Sequence, residues 1–450
     1  MLFIDDEQED FASLCTQIPN AHPAPTPEIL ADDPFAAFDP MSFEQANGHL
    51  VNFRLAINIP KQCQTLWASV MSACLAEVNA RVDLDAASLA CERAIKAQLS
   101  IAPVILCLPP GMHKIREGRL AALISRRCHK FLSHNYGTLV SDFLSNHARL
   151  LALDTQHRST APLSSGAPTS AATSDAFKLK RVGDLLSHNR AGAARRAALA
   201  HGIGDAYVPS VQQQMQDKHP VRHEPVPNMT TAQQNTHRRT ISEEDVIRQI
   251  SKLHSDVAPG LDGLRNEHLL ALLFHPKKHI PAQARAVTAH LTTYLDNIQR
   301  CALPAYFYTL FSSIRLTALM KSDPRDLLDG EDMAYRPVGI GSSLRRLHSR
   351  LLLTDDVRKA FVDIMTPTQF ACGTPAGGSQ LVFAAQALLD RHPDFTIVSV
   401  DVKNAFNSLN RGAILDAVWA APTLVRYLFP LFITCAHPHE CRPQSSPHTF

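Results

Sequence analysis

The stretch "TIVSVDVKNAFNSLNR" (396–411) runs a largely apolar segment into an acid, Asp401. A carboxylate at the C-terminal end of a buried strand is where divalent metals and phosphates meet many α/β sheets. From these residues alone Asp401 reads first as the cap of the following turn or helix. The other candidate sites in the chain are weaker. Cys435, His437, His439 and Cys441 recur at every second position around Pro438, a spacing unlike that of zinc-finger pairs. The loop "GTPAGGSQ" lacks the Lys-Ser/Thr of a phosphate-binding P-loop, because Gly378 is followed by Ser379 and Gln380. Arg345, Arg346 and Arg350 form a compact basic cluster, with Arg238 and Arg239 a smaller one, and either is a solvated face or a phosphate-contacting patch.

Four stretches, taken in order, change the weight of Asp401. "APGLDGLRNEHLLALL" (258–273) is similar to a "PGxDG" block followed by a helix. "RLTALMKSD" and "YRPVGIGSSLRRLHSRLLL" (335–353) are similar to a lysine-bearing strand leading to "RPI" and a helix. "TPTQFACGTPAGGSQLVFAAQALL" looks like a "QxGF" and glycine-rich block, and "VSVDVKNAFNSLNR" looks like polymerase motif A, "DxxxAF". In this order the blocks resemble reverse transcriptases of the non-LTR retroelement type, over about residues 240–435.

The resemblance implies the fingers and a partial palm of a right-hand polymerase, which with the N-terminal region read as helical gives an α+β fold. It implies nucleotidyl transfer on an RNA template and a DNA primer with dNTP and Mg²⁺. Divalent ions there activate the primer hydroxyl and stabilise the leaving pyrophosphate. Asp401 matches the motif A carboxylate, and the carbonyl of Val402 matches a further hard oxygen ligand. Lys321 and Arg336 match residues that grip the incoming triphosphate, one as a point charge and the other as a planar fork. Phe406 matches the aromatic that lies under the sugar and rejects a ribose 2′-hydroxyl. Their ordinary counterparts are a solvated lysine, an arginine ion pair and a core phenylalanine.

The departures set limits on that expectation. Asn407 stands where many family members have Asp, so Asp401 is the lone acid of its block. The 39 residues after Arg411 contain neither a "QGxPxSP" block nor a "YxDD" block, which in the family supplies the remaining carboxylates. One carboxylate does not hold two ions roughly 3.5–4 Å apart. The expectation is therefore the N-terminal part of a retroelement RNA-directed DNA polymerase with little or no activity as this chain stands. The alternatives are a nucleic-acid-binding remnant that uses the Arg345–Arg350 helix, or a pseudogene product.

Positioning elements are legible around these blocks. Residues 1–45 are acidic and proline-rich and are expected to lack stable structure; 46–154 read as a helical region broken near Gly137. The Ser/Thr/Ala/Pro stretch 155–176 reads as a linker, 177–216 as a short helical unit, and 217–239 as a polar connection marking the main boundary before 240–450. Ser242 and Asp245 have capping-box spacing, with Ile241 and Val246 as a hydrophobic staple. "SIRLTALMK" and "FTIVSVD" are the strand candidates, and Leu344, Leu347 and Leu351 share one helix face.

Composition bounds the class. A hydrophobic fraction of 45% and a net charge of +2 fit a globular chain without a global polyanion-binding bias. Ten cysteines without a CxxC pair fit reduced thiols. The acidic N-terminus is unlike a signal peptide, and no apolar run approaches the roughly 20 residues that span a bilayer. The expectation is a soluble intracellular protein without a membrane partner.

Overall fold

The computed structural model describes residues 33–43, 55–109, 115–160, 175–187, 191–200, 203–204, 208–218, 240–274, 281–322, 328, 332–365, 368–371, 374–402, 405, 409–410, 413–414, 416–417 and 420. Helix α1 (Gln64–Asp85) buries Trp67, Met71, Cys74, Leu75, Val78 and Val82 along one side. It also buries Ala68 and Val70, so it is covered on more than one face. Helix α2 (Leu89–Leu106) starts where the Ser88 hydroxyl accepts the Cys91 N–H at 3.1 Å, and it is buried almost throughout. Helices α3 (Glu117–Leu132) and α4 (Tyr136–Thr160) meet at a turn in which His134 adopts a left-handed φ of 58°. The break expected near Gly137 thus falls at His134, a residue type that tolerates this region.

Two short helices, α5 (Asp175–Ser187) and α6 (Ala191–Ala198), pack on each other, and α7 (Pro209–Asp217) opens with proline in its first turn. Helix α8 (Glu243–Ser251) has the expected cap: the Ser242 hydroxyl accepts the Asp245 N–H at 3.1 Å, and Ile241 and Val246 are both buried. Helix α9 (Asn266–Leu270) runs into a 3-10 turn, Ala271–Leu273. Helices α10 (Ala282–Gln299) and α11 (Ala305–Ser312) then lead into strands β1 (Arg315–Met320) and β2 (Tyr335–Ile340), which form a two-stranded antiparallel sheet. Helix α12 (Ser343–Leu352) buries Leu344, Leu347 and Leu351 as its spacing predicts, and α13 (Asp355–Met365) and α14 (Gly377–Arg391) follow.

The regions on either side of the 217–239 connection contribute to one hydrophobic core, which extends from Phe35 to Leu351. Its main seam is α1 against α10. Trp67 Nε1 donates to the His268 carbonyl at 3.0 Å, and Asn79 Nδ2 donates to the His290 carbonyl at 2.9 Å. Tyr294 Oη donates to Gln98 Oε1 at 2.8 Å, so the buried polar atoms of this seam are satisfied across a long sequence separation.

Two expectations are corrected. Residues 33–43 lie within the segment expected to be unstructured, yet they form a 3-10 turn (Pro34–Phe38) that buries Phe35, Phe38 and Met41. Three large apolar side chains, each contributing roughly 1.5–3 kcal/mol on burial, outweigh the local acidic and proline bias. The acids themselves are paired: Asp33 accepts Arg81 at 2.9 and 3.0 Å, and Asp39 accepts Arg93 at 2.6 and 2.8 Å. The second correction concerns "FTIVSVD". Residues 395–402 form no strand and join no ladder among the described residues, and Val398 and Val400 are 79% and 81% exposed. β-propensity is realised only against a pairing and packing partner, and the described part of the fold provides none here.

Burial alone would raise the Asp33 pKa, but hydrogen bonds from Arg81 and the Phe35 N–H, with both guanidinium charges, lower it below the usual carboxylate value. A depressed carboxylate contributes stability above its unfolded pKa and loses it as pH falls through the folded value. Asp33→Ala is expected to destabilise the fold by about 3 kcal/mol at pH 7 in urea denaturation, and the difference should shrink below pH ~4.

Candidate functional site

The β1–β2 hairpin sets the geometry of the two triphosphate-gripping candidates. Leu319 lies opposite Arg336, Met320 opposite Tyr335, and the Lys321 N–H continues the ladder to the Ala334 carbonyl at 2.9 Å. Alternation then separates two faces. Ala318, Met320 and Tyr335 are buried against Val211 and Met215 of α7. Leu319, Lys321, Arg336 and Val338 are exposed on the other face. Lys321 and Arg336 are diagonal neighbours on that face, about 7–8 Å apart by the geometry of such a pair. Arg336 forms no ion pair among the described residues, and Lys321 is likewise exposed.

The "PGLDG" block lies at the root of this hairpin. A Cβ at Gly260 would sit 2.6 Å from the backbone N and Cα of Ser342, so glycine is required where the loop crosses the start of α12. Gly263 takes a φ of 69°, again a glycine conformation. Asp262 is buried, and its Oδ1 accepts the Leu264 N–H at 3.2 Å. Burial pushes its carboxyl up to about 7, against the opposing pull of that N–H and of the Arg346 charge. It lines a small cavity with Gln98, Tyr294, Phe311 and Ser342.

Helix α9 knits the same loop. Glu267 Oε1 accepts the Asp256 N–H at 2.6 Å, and Asn266 Nδ2 donates to the His254 carbonyl at 2.8 Å. His268 Nδ1 accepts the Arg265 N–H at 3.2 Å, which leaves Nε2 as the donor to the Ala56 carbonyl at 2.8 Å. The ring is fully buried, and burial lowers its pKa to about 4, so it is neutral and structural.

The basic cluster is occupied within the fold. Arg345 Nη1 donates to the Ser312 carbonyl, and Arg350 Nη1 donates to the Lys252 carbonyl at 3.1 Å. Arg346 donates to the Ala258 carbonyl at 3.0 Å and to Ser343 Oγ at 2.8 Å, and its burial lowers the guanidinium pKa. Ser343 Oγ in turn donates to the Leu264 carbonyl at 2.8 Å. These half-buried arginines therefore tie α12 to α8, α11 and the 258–266 loop instead of forming a solvated face.

Asp401 and Val402 are exposed, at the end of the unpaired 395–402 segment. No hydrogen bond or ion pair among the described residues joins Asp401 to the hairpin, and no group of three or more His, Cys, Asp or Glu side chains among them is arranged to hold a metal ion. Phe406, Asn407, Arg238, Arg239 and the Cys435–Cys441 stretch lie outside the described residues. Before α14, Ala376 takes a left-handed φ of 52°, and a Cβ at Gly377 would lie 1.7 Å from the Phe370 carbonyl oxygen. The glycine of this block thus serves a tight turn.

Residues that sequence reasoning left unassigned lie behind the hairpin. Gly204 N–H donates to the Ala318 carbonyl at 2.8 Å, Gln214 Nε2 donates to the Met333 carbonyl at 2.9 Å, and Lys218 Nζ donates to the Tyr335 carbonyl at 2.5 Å. The available signal was Val211 and Met215, four apart behind Pro209.

No protein-family profile matches the chain, and no curated protein or solved structure is significantly similar to it. No helix among the described residues is long and apolar enough to cross a membrane.

Asp262 gives a pH test of the loop. An acid whose folded pKa is raised binds its proton more tightly in the native state, so its contribution falls as pH rises from about 4 to about 7. Asp262→Asn, which keeps the acceptor for Leu264, is expected to exceed the wild type in stability at pH 8 and to lose that advantage at pH 5, in paired urea titrations. Gly260→Ala is expected to cost about 2 kcal/mol in the same assay, from overlap with the Ser342 backbone.

Proposed function

We propose that this chain is the helical N-terminal region, fingers and part of the palm of a template-directed nucleotidyltransferase of the reverse-transcriptase type, acting on RNA template, DNA primer and dNTP with Mg²⁺. The observation that carries the reading is the placement of Lys321 and Arg336 on one solvent-facing side of a hairpin. A flexible ammonium and a planar guanidinium there suit a triphosphate that arrives from solvent. The order of the "PGLDG", "RPVG", glycine-rich and "DVKNAF" blocks supports the same reading.

In this role Lys321 and Arg336 bind the β- and γ-phosphates and draw negative charge toward the site. Asp401, with the Val402 carbonyl, supplies hard oxygen ligands of the kind Mg²⁺ takes. Mg²⁺ would supply activation of the primer hydroxyl and charge neutralisation at the leaving pyrophosphate. Asp401 alone is an incomplete set for two ions, so the polypeptide by itself is proposed to bind nucleotide without efficient turnover. A nucleic-acid-binding role through Arg345, Arg346 and Arg350 has less support, because their donors already serve backbone carbonyls and Ser343.

Isothermal titration of the 450-residue chain with Mg²⁺–dATP tests this reading. Lys321→Ala and Arg336→Ala are each expected to weaken binding about tenfold, the loss of one charge-assisted contact. Nucleotide affinity indifferent to both substitutions would sink the proposal. Primer extension on an RNA template is expected to be at or near background, and robust Asp401-dependent synthesis would contradict the incomplete-site reading.

A further inference from the structure

Helix α7 and the residues before it form a brace on the buried face of the β1–β2 hairpin, and that brace reaches the backbone that carries both cations. Ile203 bridges to Leu319, so β1 is flanked on its second edge. Gly204 lies so close to Tyr335 that a Cβ there would meet the ring carbon Cε1 at 2.3 Å. Val211 and Met215 pack with Ala318, Met320 and Tyr335 in a small core separate from the main one.

Polar contacts fix the register of β2 within this brace. Gln214 makes a two-sided contact: its Nε2 donates to the Met333 carbonyl at 2.9 Å, and its Oε1 accepts the Tyr335 N–H at 3.3 Å. Lys218 Nζ donates to the carbonyl of Tyr335, the residue immediately before Arg336. Ala334, between the two residues that Gln214 holds, is the ladder partner of Lys321. Residues 333–335 are therefore gripped from α7 on one side while presenting Lys321 and Arg336 on the other.

We infer that Gln214 and Lys218 are positioning residues for nucleotide: by clamping the 333–335 backbone they hold Lys321 and Arg336 at the separation a triphosphate requires. This rests on the reading of Lys321 and Arg336 given above. Neither residue needs to touch the nucleotide, since two cations on paired strands bind one polyanion tightly only if the strands do not slide or splay against each other. The clamp also assigns a purpose to a stretch of chain that precedes the polymerase-like blocks. Ile203, Gly204 and α7 belong physically to the hairpin although about 100 residues separate them from it.

The test uses the full chain with Mg²⁺–dATP as the probe, together with hydrogen exchange of peptides covering 316–321 and 333–340. Gln214→Leu, which changes no charge, and Lys218→Met, which keeps the aliphatic stem, are each expected to weaken binding about three- to tenfold and to speed exchange in both strands. The melting temperature of the main core should be unchanged, because these side chains lie outside it. Lys218→Arg should restore affinity. If Lys321→Ala weakens binding while Gln214→Leu leaves affinity unchanged, the positioning role is overturned and the nucleotide reading stands. If the parent chain does not bind Mg²⁺–dATP, or Lys321→Ala has no effect, the nucleotide reading fails and the positioning role fails with it.

Discussion

The contact on which most of the fold depends is between Trp67 and the backbone of His268. The indole N–H of α1 donates to the His268 carbonyl, and the His268 ring bridges the carbonyl of Ala56 and the N–H of Arg265. Both side chains are fully buried, so neither bond is exposed to competition from water. This one cluster fixes the N-terminal helices, the 258–266 loop and, through Gly260 against Ser342, the start of α12. An imidazole in that position has to stay neutral, and burial ensures that it does down to about pH 4.

The charged interior groups pull in different directions as pH changes. His268 and His348 are held neutral by burial, so between their unfolded pKa and about 4 they favour the unfolded state as protons are added. Asp262 acts in the opposite sense across an overlapping interval, and the Asp33 contribution, fully present at neutral pH, is lost only near the acid limit. The net pH dependence in the mildly acidic range is thus a partial cancellation between imidazoles and one carboxyl. The N-terminal turn, with Arg81 shared between Asp33 and the Phe35 ring at 4.7 Å, is independent of that balance.

Local signals were read correctly where a short segment suffices to determine the outcome. Ser242 caps α8, Leu344, Leu347 and Leu351 face inward, and "RLTALM" is a strand, because each depends on neighbours within a few residues. Lys321 and Arg336 were singled out by block order, but their common face follows only from the pairing of Leu319 with Arg336. Legibility failed where the partner is distant. Phe35, Phe38 and Met41 sit in a composition typical of a tail, and only α1, α2 and α4 make them core. Gln214 is an unremarked glutamine until a strand more than a hundred residues away places its backbone across it. The segment around Asp401 shows the converse: a strong strand pattern that the described part of the fold does not pair.

That unpaired segment has a consequence for how the molecule behaves in company. From Ile397 to Val402 the backbone N–H and C=O groups have no partner among the described residues, and Ile397, Val398, Val400 and Val402 are all exposed. Nearby, α14 presents Leu381, Val382 and Phe383 to solvent. An exposed apolar segment of strand-like sequence with an unpaired backbone is a template on which another strand can align, and no residue between Phe395 and Val400 supplies a charge to discourage it. These apolar side chains form a surface that the well-packed core, however stable, does nothing to shield.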